Sequence, residues 1–152
     1  MIQHHFPVTV KWQGGRDSVG HLDGDTIHHD VSIPDTLGGT GVGTNPDELL
    51  VSAAASCMTI SLAATLERAK FNPLQINMQS SGEAELHNGK FRMCNINHIA
   101  VITLADEIER QKLQQRMDRL LMVADKNCMV SNSLRGNVSI NINAILQVET
   151  ID

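Results

Sequence analysis

Residues 46–70 constrain this chain more than any other segment, because they are apolar almost all the way round a helix. Asn45 and Pro46 introduce them, and these residue types are typical of a helix cap and of the first helical position. The run LLVSAAASCMTISLAATL is interrupted only by small serines and threonines. A helix that is apolar all round needs cover on most faces. The segment therefore predicts a long helix buried in a core or in an oligomer.

The remaining residues alternate between strand and turn signals, with one further helix. Residues 6–33 predict strands joined by glycine turns, since Val8, Val10 and Trp12 alternate with polar residues. His87-Asn88-Gly89-Lys90 is a typical hairpin turn. The later elements are predicted as strands near 74–78, 83–86, 91–104 and 138–148, and as a helix near 106–125. This order predicts one α+β domain over residues 1–152.

Composition limits the classes of function. The formal net charge of −5 argues against general nucleic-acid binding, which usually requires a basic surface. Apolar residues make up 41% of the chain, but polar residues break every long apolar run, so no membrane span is expected. The N-terminus lacks the basic start and long apolar stretch of a secretory signal. We therefore expect a cytoplasmic protein.

Cysteine and histidine usage argues against structural disulfides and metal sites. Three cysteines without a Cys-x-x-Cys pair fit neither a disulfide framework nor the usual zinc site. The adjacent pairs His4-His5 and His28-His29 point to opposite faces of a strand, so neither pair forms a two-ligand site. The glycine pattern GGTGVG has no βαβ context that would predict a nucleotide site. We expect no metal and no organic cofactor.

Cys57 lies inside the apolar helix and has two interpretations. As a buried filler it would have a raised pKa and little reactivity. The helix dipole does not activate it, because it lies eleven residues after Pro46 and the dipole acts within about one turn. A reactive Cys57 therefore needs a cation, for which Arg16 is a candidate. Asp47 or Glu48 could in turn bind that arginine, although both also suit a helix N-terminus.

The other two cysteines differ in their predicted surroundings. Cys128 follows the second predicted helix, in a stretch with Ser131, Asn132 and Gly136 that predicts a loop. A loop thiol is more accessible and mobile than one within a helix. A half-buried filler remains the alternative for Cys128. Cys94 lies in a strand pattern, where a packing role is expected.

Three stretches together resemble the OsmC/Ohr family, the osmotically inducible and organic hydroperoxide resistance proteins. They are GGRD at 14–17, LGGTGVGTNPDELL at 37–50 with Cys57 after it, and CMVSNSLRGNVSINI at 128–142. The blocks have the order and spacing of the family over nearly the whole chain. GGRD and SNSLRGN are closer to the Ohr branch.

The resemblance implies a thiol-dependent peroxidase. Cys57 would be the cysteine that reacts with peroxide, Cys128 the cysteine that resolves the product, and Arg16 the partner of the reactive thiolate. Two positions depart from the family pattern. Asp47 stands where the family usually has glutamate, so Glu48 is a second candidate for contacting Arg16. Met129 stands where proline usually follows the second cysteine.

The resemblance also implies an assembly and a substrate class. The family fold is an intertwined homodimer, with antiparallel sheets around a long buried central helix and two active sites at the interface. The Ohr branch implies organic or fatty-acid hydroperoxides as substrates and a lipoyl-type dithiol as reductant. Two alternatives stay open on the same scaffold. One is a protein that binds a small apolar ligand with idle thiols, and the other is a sensor that oxidises once and signals.

Overall fold

A computed structural model describes residues 1–150 of the chain. It divides into two compact units, the first ending at Leu49 and the second beginning at Leu50. The first unit consists mainly of a sheet, whereas the second combines long helices with a sheet, in agreement with the predicted α+β class. The prediction that residues 1–152 form one domain remains a prediction.

The first unit contains a three-stranded antiparallel sheet. Its strands β1 (Val8–Lys11), β2 (Gly20–Gly24) and β3 (His28–Val31) are hydrogen-bonded in that order. The prediction of strands joined by glycine turns over residues 6–33 is confirmed. A short 3₁₀ turn (Asp35–Leu37) and the glycine-rich loop follow, and the backbone of this loop takes positive φ angles at three glycines, Gly38, Gly41 and Gly43.

Helix α1 (Pro46–Arg68) begins where the sequence predicts. The Asn45 side chain caps it by accepting the backbone N–H of Glu48 at 2.8 Å. Its end at Arg68 is close to the predicted Lys70, whose backbone adopts φ +70°. A left-handed residue just after the last turn is a common way to end a helix.

A smaller part of the α1 surface is buried than the composition of the helix predicts. The buried residues form one stripe, composed of Ala54, Met58, Leu62, Thr65 and Leu66. Ile60, on another face, is 71% exposed. By length and composition alone α1 could cross a membrane, although the polar residues within it led us to expect no membrane span. The core helix of a soluble protein can have the same length and composition. Within the single chain, the prediction of burial on most faces is not met.

The second unit contains a three-stranded sheet in the order β4-β5-β6. Strands β4 (Gln75–His87) and β5 (Lys90–Leu104) form an antiparallel hairpin. Asn88 and Gly89 have φ angles of +52° and +76°, as a type I′ turn requires, so the predicted hairpin is confirmed. The prediction of two short strands before this turn is wrong. A bulge at Glu83/Ala84 keeps the pairing continuous through the region that we interpreted as a break.

Strand β6 (Ser139–Val148) runs parallel to β5, so the expectation of purely antiparallel sheets is wrong. Two helices separate these strands in the chain, α2 (Glu107–Asn127) and α3 (Met129–Leu134). A helical crossover carries the chain from the end of β5 back to the opposite end of the sheet, and this makes the next strand parallel. The predicted bounds of α2 and of the last strand are otherwise close to those observed.

The core of the second unit lies between α1, α2 and the sheet. Its central members are apolar side chains from all three, among them Met58, Leu62, Leu66, Ala100, Ile102, Leu113, Leu121 and Ala124. Cys128 belongs to the same buried cluster, and Cys57 packs against it from a partly buried position. Packing of the core thus determines where both thiols lie.

A glycine in β4 makes the close approach of α1 to the sheet possible. A Cβ atom at Gly82 would lie 2.5 Å from Cγ2 of Val51 and 2.8 Å from the sulfur of Met93. Gly82→Ala should therefore reduce the free energy of unfolding by about 1–3 kcal/mol, measured by urea denaturation.

A matched substitution tests this explanation. Gly15→Ala should be close to neutral, because nothing lies within 4 Å of a Cβ there. Adding Val51→Ala to Gly82→Ala should recover part of the loss, as expected for residues in contact. Equal stability of the two alanine variants would contradict the proposed close packing.

Candidate active site

Cys57 and Cys128 are neighbours in the second unit. Cys57 lies on α1 and is half-buried, whereas Cys128 is fully buried between α2 and α3, and both are free thiols. One turn after Cys57, the Ser61 hydroxyl donates a hydrogen bond to the Ala124 carbonyl at 2.6 Å. This bond ties α1 to the last turn of α2 and brings the two sulfurs together. The two thiols are adjacent within one chain.

The surroundings of Cys128 favour its protonated form. Burial raises its pKa most, and the adjacent Cys57 thiol raises it further. The hydroxyl and the backbone N–H of Ser131 act in the opposite direction and lower this pKa, but the balance is an increase. Cys128 is therefore a buried thiol that sits beside a more accessible one.

The prediction that Cys128 lies in an exposed, mobile loop is wrong. Residues 129–134 form α3, and Cys128 has extended backbone angles that separate it from α2. Arg135 stabilises this corner by binding the Asp125 carboxylate at 3.0 Å and the Asn132 side chain at 3.1 Å. The Asn132 amide also donates to the Lys126 carbonyl at 2.9 Å. These hydrogen bonds connect α3 and the residue after it to the end of α2, and they stabilise a short helix in a segment that the sequence predicts as a loop. The sequence analysis did not identify the contribution of Arg135.

Arg16 is held by the glycine-rich loop of the first unit. Its guanidinium donates to the carbonyls of Leu37 at 2.8 Å and Gly38 at 3.2 Å, and it forms an ion pair with Asp17 at 3.1 Å. More than half of the side chain, 57%, remains exposed. A positively charged group thus stands on a loop shaped by glycines.

The two carboxylates predicted to bind Arg16 lie in the first turn of α1. The Glu48 carboxylate accepts a hydrogen bond from the Thr44 hydroxyl at 3.0 Å, and Asp47 is exposed. Among the ion pairs of the described residues, Arg16 is joined to Asp17 and to neither of these carboxylates. The structure therefore brings Cys57 and Cys128 together and gives Arg16 a different acidic neighbour.

Three buried polar atoms in the second unit lack a conventional hydrogen-bond partner. Within residues 1–150 they are His98 Nε2, Asp125 Oδ1 and Ser131 Oγ. The other nitrogen of His98 bonds the Ser80 hydroxyl at 2.6 Å. Burial lowers the pKa of His98, and the charge of Asp125 raises it by less. The neutral imidazole is therefore the favoured form at neutral pH.

Cys94 has surroundings unlike those of the other cysteines. It lies in β5, and its sulfur donates to the Glu83 carbonyl across the hairpin at 3.2 Å. Burial and the nearby carboxylates of Glu85 and Glu83 raise its pKa. Cys94 belongs to neither hydrophobic cluster of the described residues, so its expected packing role stays a prediction. No group of three or more metal-ligating side chains occurs in the part of the chain that the structure describes.

A groove lies on α1 and α2 near the segments that carry the thiols, and neither Cys57 nor Cys128 lines it. Ile60, Ser61, Ala64, Arg68, Val123 and Asn127 line it, and it encloses about 460 Å³. It includes the residue immediately before Cys128 and residues one turn beyond Cys57. Its mixture of aliphatic and polar side chains suits a small organic molecule.

Two histidines of the first unit bind carboxylates across strands. His21 Nδ1 lies 2.9 Å from Asp30, and His28 Nδ1 lies 2.7 Å from Asp23. The hydrogen bond to Asp30 is the largest cause of a raised pKa at His21. These exposed cross-strand pairs explain two of the histidines without a metal.

The raised pKa of His21 predicts how the stability of the fold changes with pH. Protonation is more favourable in the folded than in the unfolded state, so the pair stabilises the fold below about pH 6.5, and the stabilisation is lost as pH rises through the higher folded-state value. An NMR titration of the imidazole signals should place His21 above the usual histidine range, and Asp30→Asn should lower its pKa. Asp25→Asn, at an exposed turn residue, should not. An unchanged pKa of His21 in Asp30→Asn would contradict this pairing.

Comparison with known proteins identifies a matching family, related sequences and a similar solved structure. A family model described as OsmC-like protein matches residues 38–143. An uncharacterized protein of Bacillus subtilis, YmaD, is 32% identical over 148 residues, covering 97% of this chain and 98% of that protein. The organic hydroperoxide resistance protein OhrB of the same organism is 25% identical over 143 residues, covering 90% of this chain and 96% of that protein. A crystal structure from Legionella pneumophila, described as an organic hydroperoxide resistance protein OsmC, has a TM-score of 0.72 at 25% identity and covers 97% of this chain and 100% of that chain.

The matched segment includes most of the predicted site. Asp47, Glu48, Cys57 and Cys128 lie within residues 38–143, whereas Arg16 precedes them. The relative from B. subtilis that is 32% identical has no described activity. The similarity therefore shows the family and the fold.

Proposed function

Because the chain belongs to the OsmC-like protein family, we propose that it is a thiol-dependent peroxidase that reduces organic hydroperoxides to alcohols. The observation that supports this most is the contact between a half-buried thiol, Cys57, and a fully buried one, Cys128. Two relatives named organic hydroperoxide resistance proteins share the fold, and this supports the same reaction class.

The first step would use Cys57, because it is the more accessible of the two thiols. Its thiolate attacks the terminal oxygen of the hydroperoxide, and the O–O bond breaks. The departing alkoxide takes up a proton and leaves as an alcohol, while Cys57 becomes a sulfenic acid. Cys128 has a raised pKa and stays protonated during this step. The two thiols therefore have different roles although they are neighbours.

The second step would join the two sulfurs. Cys128 attacks the sulfur of the sulfenic acid, a water molecule leaves with the thiol proton, and a Cys57–Cys128 disulfide forms. An external dithiol then reduces this disulfide by thiol exchange. A lipoyl-type dithiol is proposed on the strength of the Ohr resemblance. No step requires a metal or an organic cofactor.

Arg16 is proposed to hold Cys57 as a thiolate. A thiol among apolar side chains needs a nearby cation to ionise at neutral pH. The loop carbonyls of Leu37 and Gly38 orient the guanidinium, and its exposed fraction leaves donors for a further partner. Asp47 or Glu48 would then replace Asp17 as the carboxylate that binds Arg16 in the working site.

A homodimer is proposed from the surface of α1. Outside the buried stripe, Ala53, Ile60 and Ala63 are exposed in the single chain, and the other apolar residues are partly buried. Contiguous exposed apolar surface on a soluble protein usually marks an interface. A second copy that covers α1 would make it the buried central helix of an intertwined assembly, with two active sites at the interface.

The groove on α1 and α2 supports an organic substrate. Ile60, Ala64 and Val123 give it aliphatic walls, and Arg68 adds a positive charge. Hydrogen peroxide gains nothing from aliphatic walls, whereas an alkyl or fatty-acid hydroperoxide buries apolar surface there. The proposed substrates are therefore organic hydroperoxides, including those of fatty acids.

Substitution of each cysteine tests the reaction. Cys57→Ser should abolish consumption of cumene hydroperoxide in the presence of dihydrolipoamide, because the nucleophile is lost. Cys128→Ser should permit one turnover and leave a sulfenic acid that dimedone traps. Cys94→Ser is the matched control and should retain the parent rate, because its strand position takes no part in the proposed reaction.

Other outcomes would point to other functions. A parent protein that oxidises once and does not turn over with any dithiol would favour the redox sensor. A parent protein whose Cys57 neither reacts with peroxide nor forms the disulfide would favour the apolar-ligand binder.

Removal of the Arg16 charge should slow the chemistry of Cys57. Arg16→Ala should lower the rate of Cys57 alkylation by iodoacetamide at neutral pH and move the midpoint of the rate–pH profile upward, because the thiolate loses its cation. Arg92→Ala removes an arginine that instead binds Asn137, and it serves as the control. An unchanged profile in Arg16→Ala would remove this residue from the proposed mechanism.

A further inference from the structure

Ser131 carries a buried hydroxyl that takes part in none of the hydrogen bonds of the described fold. The residue is 0% exposed, and its oxygen has no nitrogen or oxygen partner. A buried hydroxyl without a partner is costly, and each such group in a folded protein needs an explanation. Ser131 lies three residues after Cys128, in the first turn of α3, and both its hydroxyl and its backbone N–H act on the Cys128 sulfur.

We propose that Ser131 is a catalytic residue of disulfide reduction, and that its hydroxyl donates a hydrogen bond to the sulfur of Cys128 when that sulfur leaves as a thiolate. The inference rests on the proposed function, since it assigns a group to the reductive half of that cycle. The substrate of this half-reaction is the external dithiol, and the atom that Ser131 would stabilise is the leaving sulfur of Cys128.

The step balances as thiol exchange. A thiolate of the dithiol attacks the sulfur of Cys57, which is the more accessible end of the disulfide. A bond forms between these two sulfurs, the Cys57–Cys128 bond breaks, and its electron pair passes to Cys128. The second thiol of the reductant then displaces Cys57, which leaves as a thiol with the proton of that group. Cys128 takes up the proton that the first thiol had released, and the reductant ends as a cyclic disulfide.

The position of Cys128 makes a donor necessary. Its neighbours in the buried cluster are apolar, among them Met58, Ala100 and Ala124. A thiolate in such surroundings is costly, and a leaving thiol departs faster when its anion is stabilised. The Lys126 side chain, two residues before Cys128, is exposed. The Arg135 guanidinium is bound to the Asp125 carboxylate and to Asn132. Ser131 is the hydroxyl placed to supply the stabilisation.

The chemistry of Cys128 also explains why the Ser131 hydroxyl has no strong hydrogen-bond acceptor before reduction begins. Before reduction, Cys128 is a neutral thiol or part of a disulfide, and such a sulfur is a weak acceptor. The hydrogen bond becomes strong only when negative charge develops on the sulfur. An interaction that strengthens along the reaction path accelerates the step rather than the binding that precedes it.

The test compares Ser131→Ala with Ser133→Ala. Ser133 lies on the same short helix, is exposed, and donates its hydroxyl to the Met129 carbonyl. Each variant is oxidised with diamide, so that the disulfide forms without peroxide, and its reduction by dithiothreitol is followed by stopped flow. Ser131→Ala should slow reduction roughly tenfold, the scale of one lost hydrogen bond to a charged group. Ser133→Ala should keep the parent rate, and Ser131→Thr should recover part of the loss.

A second readout separates chemistry from structure. In reduced protein, the rate at which one equivalent of cumene hydroperoxide oxidises Cys57 should be unchanged in Ser131→Ala, because Cys128 does not leave in that step. Reduction at the parent rate, or an equal slowing of oxidation and reduction, would overturn the inference. A parent protein that forms the diamide disulfide but consumes no peroxide would overturn the proposed function while the reduction test keeps its meaning.

Discussion

The contact of α1 with the last turn of α2 is the constraint on which the rest of the structure depends. Apolar side chains such as Met58 and Leu62 pack it, and the Ser61 hydroxyl fixes its position by bonding the Ala124 carbonyl. Neither cysteine has a chemical partner in its own segment. Because a disulfide tolerates little error in the separation of its two residues, this helix contact decides whether a thiol pair exists.

Burial then makes the two thiols unequal. Cys57 stays partly accessible, whereas Cys128 lies in the apolar cluster with a raised pKa. Under the proposed function, a peroxide would reach the first thiol, and the second would stay protonated until a sulfenic acid formed beside it. The same burial would make Cys128 a poor leaving group when the disulfide is reduced. The proposed donor, Ser131, answers that requirement, so burial would determine both the order of the reaction and its most demanding step.

Local signals predicted the elements well, and long-range pairing was harder. Asn45 and Pro46 fixed the start of α1, and Asn88-Gly89 fixed the hairpin, because both depend on a few neighbouring backbone angles. The parallel direction of β6 was within reach of the sequence, since a helical crossover between two strands usually implies it. Helix α3 was not, because its polar residues predict a turn, and the bonds of Arg135 that stabilise it cross from α3 to α2. The acidic neighbour of Arg16 likewise depends on folding of the glycine-rich loop around it.

Met129 stands where the resemblance implies a proline. The residue occupies the first position of α3, where proline is favoured because its missing N–H would have no partner inside the helix anyway. Methionine therefore breaks no hydrogen bond there, and its side chain is 62% exposed. What the chain loses is the rigidity of proline in the unfolded state, about 0.4–1 kcal/mol. Arg135 and Asn132 bind the end of α2 by side-chain hydrogen bonds. In this chain the corner around Cys128 therefore carries side-chain contacts between α2 and α3 in addition to its backbone.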